Sequence, residues 1–118
     1  MSAGKYTTSI LQGATFQRDI TWTDNTNNTP IDLTGSIVRL QARKRLTSDT
    51  TVLDLSTATS GITITDALNG QFQILLTAAE TAALDFATAV YDLEVEFPSG
   101  EIRRVLEGTL ELKKEVTR

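Results

Sequence analysis

The stretch YDLEVEFPSGEIRRVLEGTLELKK, residues 91–114, alternates apolar and charged side chains on either side of a Pro-Ser-Gly turn. A strand sends successive side chains to opposite faces, so Tyr91, Leu93, Val95 and Phe97 share one face and Asp92, Glu94 and Glu96 the other. Gly100 supplies the positive φ that a tight turn needs, and alternation resumes at Ile102, Leu106, Leu110 and Leu112. The expected structure is a β-hairpin with Pro98 opposite Glu101, Phe97 opposite Ile102, Leu93 opposite Leu106 and Tyr91 over Gly108, which sets Glu96 against Arg103. A slip of one residue would put Glu96 beside Ile102 instead. In this register the acidic run is a solvated sheet face rather than a catalytic or metal site. Its exposed cross-strand ion pairs contribute about 0.2–1 kcal/mol each.

The chain has 118 residues, enough for one domain with its own core and too few for two, and a single domain over 1–118 is expected. It contains no Cys and no His. Disulfides and thiolate chemistry are thereby excluded and the commonest general base and metal ligand is missing. A nucleophile and its base would have to be built from Ser, Lys and carboxylates. No catalytic, cofactor-binding or metal-ligating residue is assigned, and no cofactor is expected. Eleven Lys and Arg against fifteen Asp and Glu give a net charge of −4, which repels phosphate backbones, so nucleic acid is not an expected partner. The N-terminal MSAGKYTTSILQGATF lacks the pattern of a secretory signal, and no segment approaches the roughly 20 apolar residues of a membrane span. The expectation is a soluble chain made in the cytosol, with no membrane partner.

Thr, Val and Ile are frequent, and Gly, Asn, Asp or Pro clusters interrupt the chain at short intervals, which is an all-β pattern. Strands are expected at Lys5–Leu11, Thr15–Thr23, Ser36–Arg45, Val52–Ser56, Ile62–Thr65, Gln71–Leu76, Ala89–Phe97 and Glu101–Lys113. These make an immunoglobulin-like β-sandwich of seven to nine strands. Its core candidates are Phe16, Ile20 and Trp22, then Val38, Leu40 and Ala42, then Phe72, Ile74 and Leu76. LTAAETAALDF, residues 76–86, breaks the alternation: Thr77 followed three residues later by Glu80 has the form of a capping box, and Ala-rich helix formers follow. One short helix near Thr77–Leu84 is expected across an end of the sandwich, seated by Leu76, Leu84 and Phe86.

Arg18 falls on the parity of Phe16 and Ile20, and Arg104 on that of Ile102 and Leu106. Each belongs either at a sheet margin, stem buried and head in water, or in a subunit contact. TDNTNNTPIDLTG, residues 23–35, is the largest polar interruption and should be an exposed loop. Asn27-Asn28-Thr29 matches the short glycosylation pattern without further support. RLTSDTT, residues 45–51, is a second exposed connection. Asp19 with Asp24, or Asp49 with Asp54, have no spacing that selects acid/base or Ca²⁺ chemistry, since Ca²⁺ takes six to eight oxygens, and the single glycines do not make a phosphate loop.

From ILQGATFQRDITWTDNTNNTPIDLTGSIVRLQARKR, residues 10–45, the order of features carries more than any one residue. A strand ends in Gln12-Gly13, an aromatic strand and a polar loop follow, and Pro30-Ile31-Asp32-Leu33-Thr34-Gly35 opens a longer strand with alternating basic residues. Tyr91-Asp92-Leu93 and Glu107-Gly108 complete the series. The chain resembles, over nearly its whole length, the small β-sandwich of phage and prophage tail genes, and is similar to the N-terminal domain of siphophage upper baseplate proteins. That resemblance implies a non-enzymatic virion structural protein, present in multiple copies in a symmetric assembly with other virion proteins. Upper baseplate proteins carry further segments after this domain, whereas this chain stops at Arg118, so the expected role is an adaptor at the tail, neck, baseplate or fibre base. Capsid decoration is the alternative in the same class, a small carboxylate hydrolase the alternative in another, and an intracellular regulatory or chaperone domain of phage origin a fourth. A virion sandwich meets its neighbours through edge strands and loops. The interface candidates are therefore Tyr6, Thr8 and Ile10 on the first strand, Asn25, Asn27 and Asn28 in the polar loop, and Arg18 and Arg104.

Overall fold

The computed structural model describes residues 4–24 and 26–117. Eleven strands follow in order: β1 Gly4–Lys5, β2 Thr8–Leu11, β3 Phe16–Thr21, β4 Thr23–Asp24, β5 Thr29–Pro30, β6 Ile37–Arg43, β7 Leu53–Ser56, β8 Ile62–Asp66, β9 Gln71–Leu76, β10 Thr88–Glu96 and β11 Ile102–Lys113. A 3-10 turn, Ala67–Asn69, precedes β9, and helix α1, Ala78–Ala82, follows it. One sheet runs β1-β11-β10-β6-β7, with β2 also on β11, and the facing sheet runs β3-β9-β8. Among the described residues β4 and β5 pair only with each other. The fold is an all-β immunoglobulin-like sandwich, with the first strand laid parallel along the edge of the last.

The core forms because alternate residues of both sheets point inward. Phe16 and Trp22, then Val38, Leu40 and Ala42, then Phe72, Ile74 and Leu76 are buried as expected, and Ile20 packs against them partly buried. Tyr91, Leu93 and Val95 close the core from β10. Each side chain of the size of Leu93 or Phe72, fully buried here, stabilises the fold by about 1.5–3 kcal/mol. Ile10 is buried as well, at 1% exposure. That corrects its assignment to an interface, because the inward parity of β2 places its side chain in the protein's own core.

The 91–114 hairpin follows the expected register only in part. Tyr91 lies opposite Gly108 and Leu93 opposite Leu106, but beyond Leu93 the pairing shifts: Glu94 faces Arg104, Val95 faces Arg103 and Glu96 faces Ile102. The cause lies in the turn. Phe97 donates its N–H to Glu101 C=O at 2.8 Å, and Gly100 donates to Phe97 C=O at 2.8 Å, so the loop is the three residues Pro98-Ser99-Gly100 rather than Ser99-Gly100 alone. A two-residue type I′ turn needs positive φ at both central positions, and Ser99 does not adopt it whereas Gly100 does, at φ 92°. Pro98, with φ held near −65°, suits the opening of a type I turn. The register of this three-residue loop and the Leu93–Leu106 match differ by one residue, and β11 absorbs it as a bulge at Val105. Val105 is buried at 8% exposure beside inward Leu106, while Ile102 points outward and is half exposed.

α1 has the anticipated capping box: Glu80 N–H donates to Thr77 Oγ1 at 3.1 Å, and Thr77 N–H donates to a Glu80 carboxylate oxygen at 2.9 Å. Leu76 and Phe86, which flank it in the chain, are buried in the core, and Leu84 packs against that core partly buried. A polar tie adds to these contacts. Thr81, fully buried, donates from Oγ1 to Ala14 C=O at 2.8 Å and accepts the Gly13 N–H at 3.0 Å. Gln12 bridges the same region, donating to Leu84 C=O at 3.1 Å and accepting the Glu115 N–H at 3.1 Å. The polar connection around residues 26–30 is exposed as expected, but its flanks form a small ladder in which Thr23 faces Pro30 and Asp24 faces Thr29.

Candidate functional site

The outward face of the larger sheet places an acidic column on β10 between the arginines of β6 and Arg104 of β11. Asp92, Glu94 and Glu96 run down β10, Arg39 and Arg43 lie beside them on β6, and Arg104 lies on β11. Arg39 pairs with Glu96, and Arg104 reaches both Asp92, at 3.6 Å, and Glu107, at 3.8 Å. Glu96 therefore finds its cation on β6, and not in Arg103, which turns instead to Glu101 at 3.0 Å and to the ring of Phe97. All of these groups are substantially exposed, so each pair contributes at most about 1 kcal/mol. Their collective effect is to hold the face in one arrangement.

Across this face runs an open cleft of about 560 Å³. Its floor is Gln41, Arg43, Val90, Asp92, Arg104 and Thr109, one wall is Lys5-Tyr6-Thr7, and the other is Leu46, 86% exposed, on the loop after β6. Arg43 fixes that loop by donating to Ser48 C=O at 3.0 Å and also donates to the Gln41 side-chain oxygen at 3.3 Å. The wall at Tyr6 is fixed by Tyr91, whose hydroxyl donates to Tyr6 C=O at 2.6 Å. Gly108 permits this approach: a Cβ there would overlap the Tyr6 carbonyl, 2.8 Å from its carbon. Burial, with a smaller effect from Tyr6, pushes the Tyr91 hydroxyl up to about 12. It keeps its proton at neutral pH and serves as a donor, not as a base.

The chemistry available is recognition. Two of the cleft's carboxylates, Asp92 and Glu107, are each held by Arg104. Lys5 and Arg43 have no ion-pair partner among the described residues. Among the described residues no group of three or more carboxylates is placed to hold a metal ion. Half-exposed apolar side chains, Tyr6 and Val90, stand beside these charges, the mixture typical of a protein contact.

The anticipated interface residues separate into three places. Tyr6 and Arg104 meet in the cleft. Arg104 does so only because the Val105 bulge reverses its parity, turning it from the expected inward side to the outer face. Thr8, Ile10 and Arg18 line a small apolar gap of about 40 Å³ between the sheets. Arg18 sits at the sheet margin, its guanidinium 4.4 Å from the Phe16 ring centre and donating to Gln17 C=O at 2.8 Å. Asn27 and Asn28 are exposed at the tip of the β4–β5 hairpin, Asn28 with φ 54°, and Asn25 lies outside the described residues. Sequence reasoning passed over Lys5, Gln41, Arg43, Leu46 and Val90. The signal for part of this set was the polar alternation Arg39, Gln41, Arg43 along β6, opposite in parity to buried Val38, Leu40 and Ala42.

No family model matches the chain, and no curated protein matches it. Among solved structures it is similar to a chain from photo-crosslinking work on multimeric cell-adhesive interactions of VGSC beta subunits, at 16% identity and TM-score 0.49 over 99% of this chain and 98% of that one. It is also similar to murine CRIg, at 8% identity and TM-score 0.41 over 92% of each chain. No helix among the described residues is long and apolar enough to cross a membrane. Strand order and register place the chain in the immunoglobulin-like sandwich class.

Proposed function

We propose that the chain is a non-enzymatic structural protein of a bacteriophage virion, an adaptor at the tail, neck, baseplate or fibre base. It holds neighbouring virion proteins through the outer face of its larger sheet. The observation that carries the surface assignment is the cleft between Tyr6 and Leu46, where apolar and charged groups converge on a floor of regular strands. A recognition surface on rigid strands suits a part that must repeat one geometry in every copy. The virion setting is supported by the ordered series of motifs, from Gln12-Gly13 through Glu107-Gly108. A binding rather than a catalytic role is supported by the state of the cleft's groups, with two acids held by an arginine and a tyrosine that retains its proton.

The test is quantitative mass spectrometry of purified particles from the phage whose genome encodes the chain. The adaptor reading requires the chain in particles at a few to a few dozen copies. Hundreds of copies, on the scale of the capsid protein, would assign it to capsid decoration. Its absence from particles would reject the virion role.

A further inference from the structure

The sheet edges are unequally protected. β7 carries Asp54, β8 is bulged between Ile64 and Asp66, and β3 carries Arg18 and Asp19, all devices that discourage pairing with another strand. The remaining edge is β2, and from Tyr6 to Gly13 the chain has no charge and no proline. In the parallel ladder Tyr6 and Gln12 send their N–H groups to Glu107 and Lys113 of β11. With Leu110 paired to Thr8 and Leu112 to Ile10, even-numbered residues bond inward and Thr7, Ser9 and Leu11 present their backbone groups outward in the plane of the sheet. Only Leu11 C=O of that set is engaged by the described backbone, accepting the Ala14 N–H at 3.1 Å. Leu11 is also 55% exposed.

We propose that two copies of this chain associate edge to edge, β2 against β2, to form one continuous sheet. The edge is self-complementary. In an antiparallel pair centred on Ser9, that residue exchanges both backbone bonds with the second copy's Ser9, and Thr7 meets the second copy's Leu11. Uncharged side chains then face one another along the whole contact, small at the dyad and apolar at each end, as a two-fold interface requires. Because one short strand from each copy forms it, the dimer depends on concentration. The proposal is independent of the virion setting, and its contact shares Thr7 with one wall of the outer-face cleft.

The test is sedimentation velocity on the full chain from roughly 10 to 500 µM, the range in which micromolar association is read, together with amide exchange. The wild type should pass from monomer to dimer, and exchange at Ser9 and Leu11 should slow by about tenfold or more across the series while Thr8 and Ile10 stay unchanged. Ser9→Pro removes an outward N–H, which an edge strand tolerates, together with the exposed 3.4 Å bond from the Ser9 hydroxyl to Glu111, and Leu11→Lys places a charge on the edge. Both should remain monomeric where the wild type is mostly dimer, with an unaltered circular dichroism spectrum. If Ser9→Pro fails to fold, Leu11→Lys and the exchange data decide. A wild type that is monomeric throughout, or a dimer that persists in Leu11→Lys with Ser9 exchange independent of concentration, would overturn the proposal.

Discussion

Gly108 shows how a residue without a side chain positions a site. Sequence alternation placed Tyr91 over Gly108, and the structure pairs them. The reason for glycine was not legible, because the atoms a Cβ would strike belong to Tyr6, about a hundred residues away in the chain. Gly108→Ala should lose about 1–3 kcal/mol of stability, the cost of overpacking, and detach the Tyr6 wall. Denaturant unfolding measures the loss, and faster amide exchange at Tyr6 locates it. Tyr91 makes a second prediction. Its folded-state value is near 12 against an ordinary 10, so below pH 10 neither state is deprotonated and its contribution is intact. Above pH 10 the unfolded chain loses the phenolic proton first, and stability falls as pH rises toward 12. Tyr91→Phe should cost about 1 kcal/mol at neutral pH for the lost hydrogen bond and flatten that alkaline decline, as read by urea unfolding at pH 9 and pH 11.

Among the elements, strand positions were legible wherever alternation was clean. Gln71–Leu76 is found at its expected bounds and Ala89–Phe97 within one residue at each end. The bulge in β11 was missed although its mark is in the chain: Val105 and Leu106 are adjacent apolar residues in an otherwise alternating strand, and both turn inward only if one residue is extra. That single residue decides which side of the sheet Arg104 serves. The capping box of α1 was legible because both partners lie within four residues. Thr77→Ala should cost about 1 kcal/mol. Thr81 was not legible as a structural residue, since its partners Gly13 and Ala14 lie 68 and 67 residues earlier in the chain. Thr81→Val keeps the shape but strands a part-buried N–H and C=O, and should cost about 1–3 kcal/mol, more than the exposed cap. Thermal melts of the two variants check that order.

At the scale of the molecule, the cleft is a product of topology. Lys5 enters it because the first strand runs parallel to β11, Arg43 because β6 pairs with β10, and Leu46 because the loop after β6 folds back under Arg43. Local periodicity specifies which residues face outward and says nothing of which strands become neighbours, so the face was legible and the cleft was not. The whole chain carries a net charge of −4, yet the walls and floor of this cleft bring forward Lys5 and Arg43 without carboxylate partners among the described residues. The contacting neighbour is therefore expected to offer carboxylates around an apolar residue. The proposed role of this outer face in joining the protein to its assembly is tested by the copy number, in purified particles, of a Leu46→Asp, Val90→Glu double variant. Both positions are exposed, so the isolated domain should keep its stability to within about 0.5 kcal/mol per site. Incorporation should fall about tenfold or more while the variant remains folded in the lysate; a folded variant incorporated at the wild-type copy number would rule out this face as the interface.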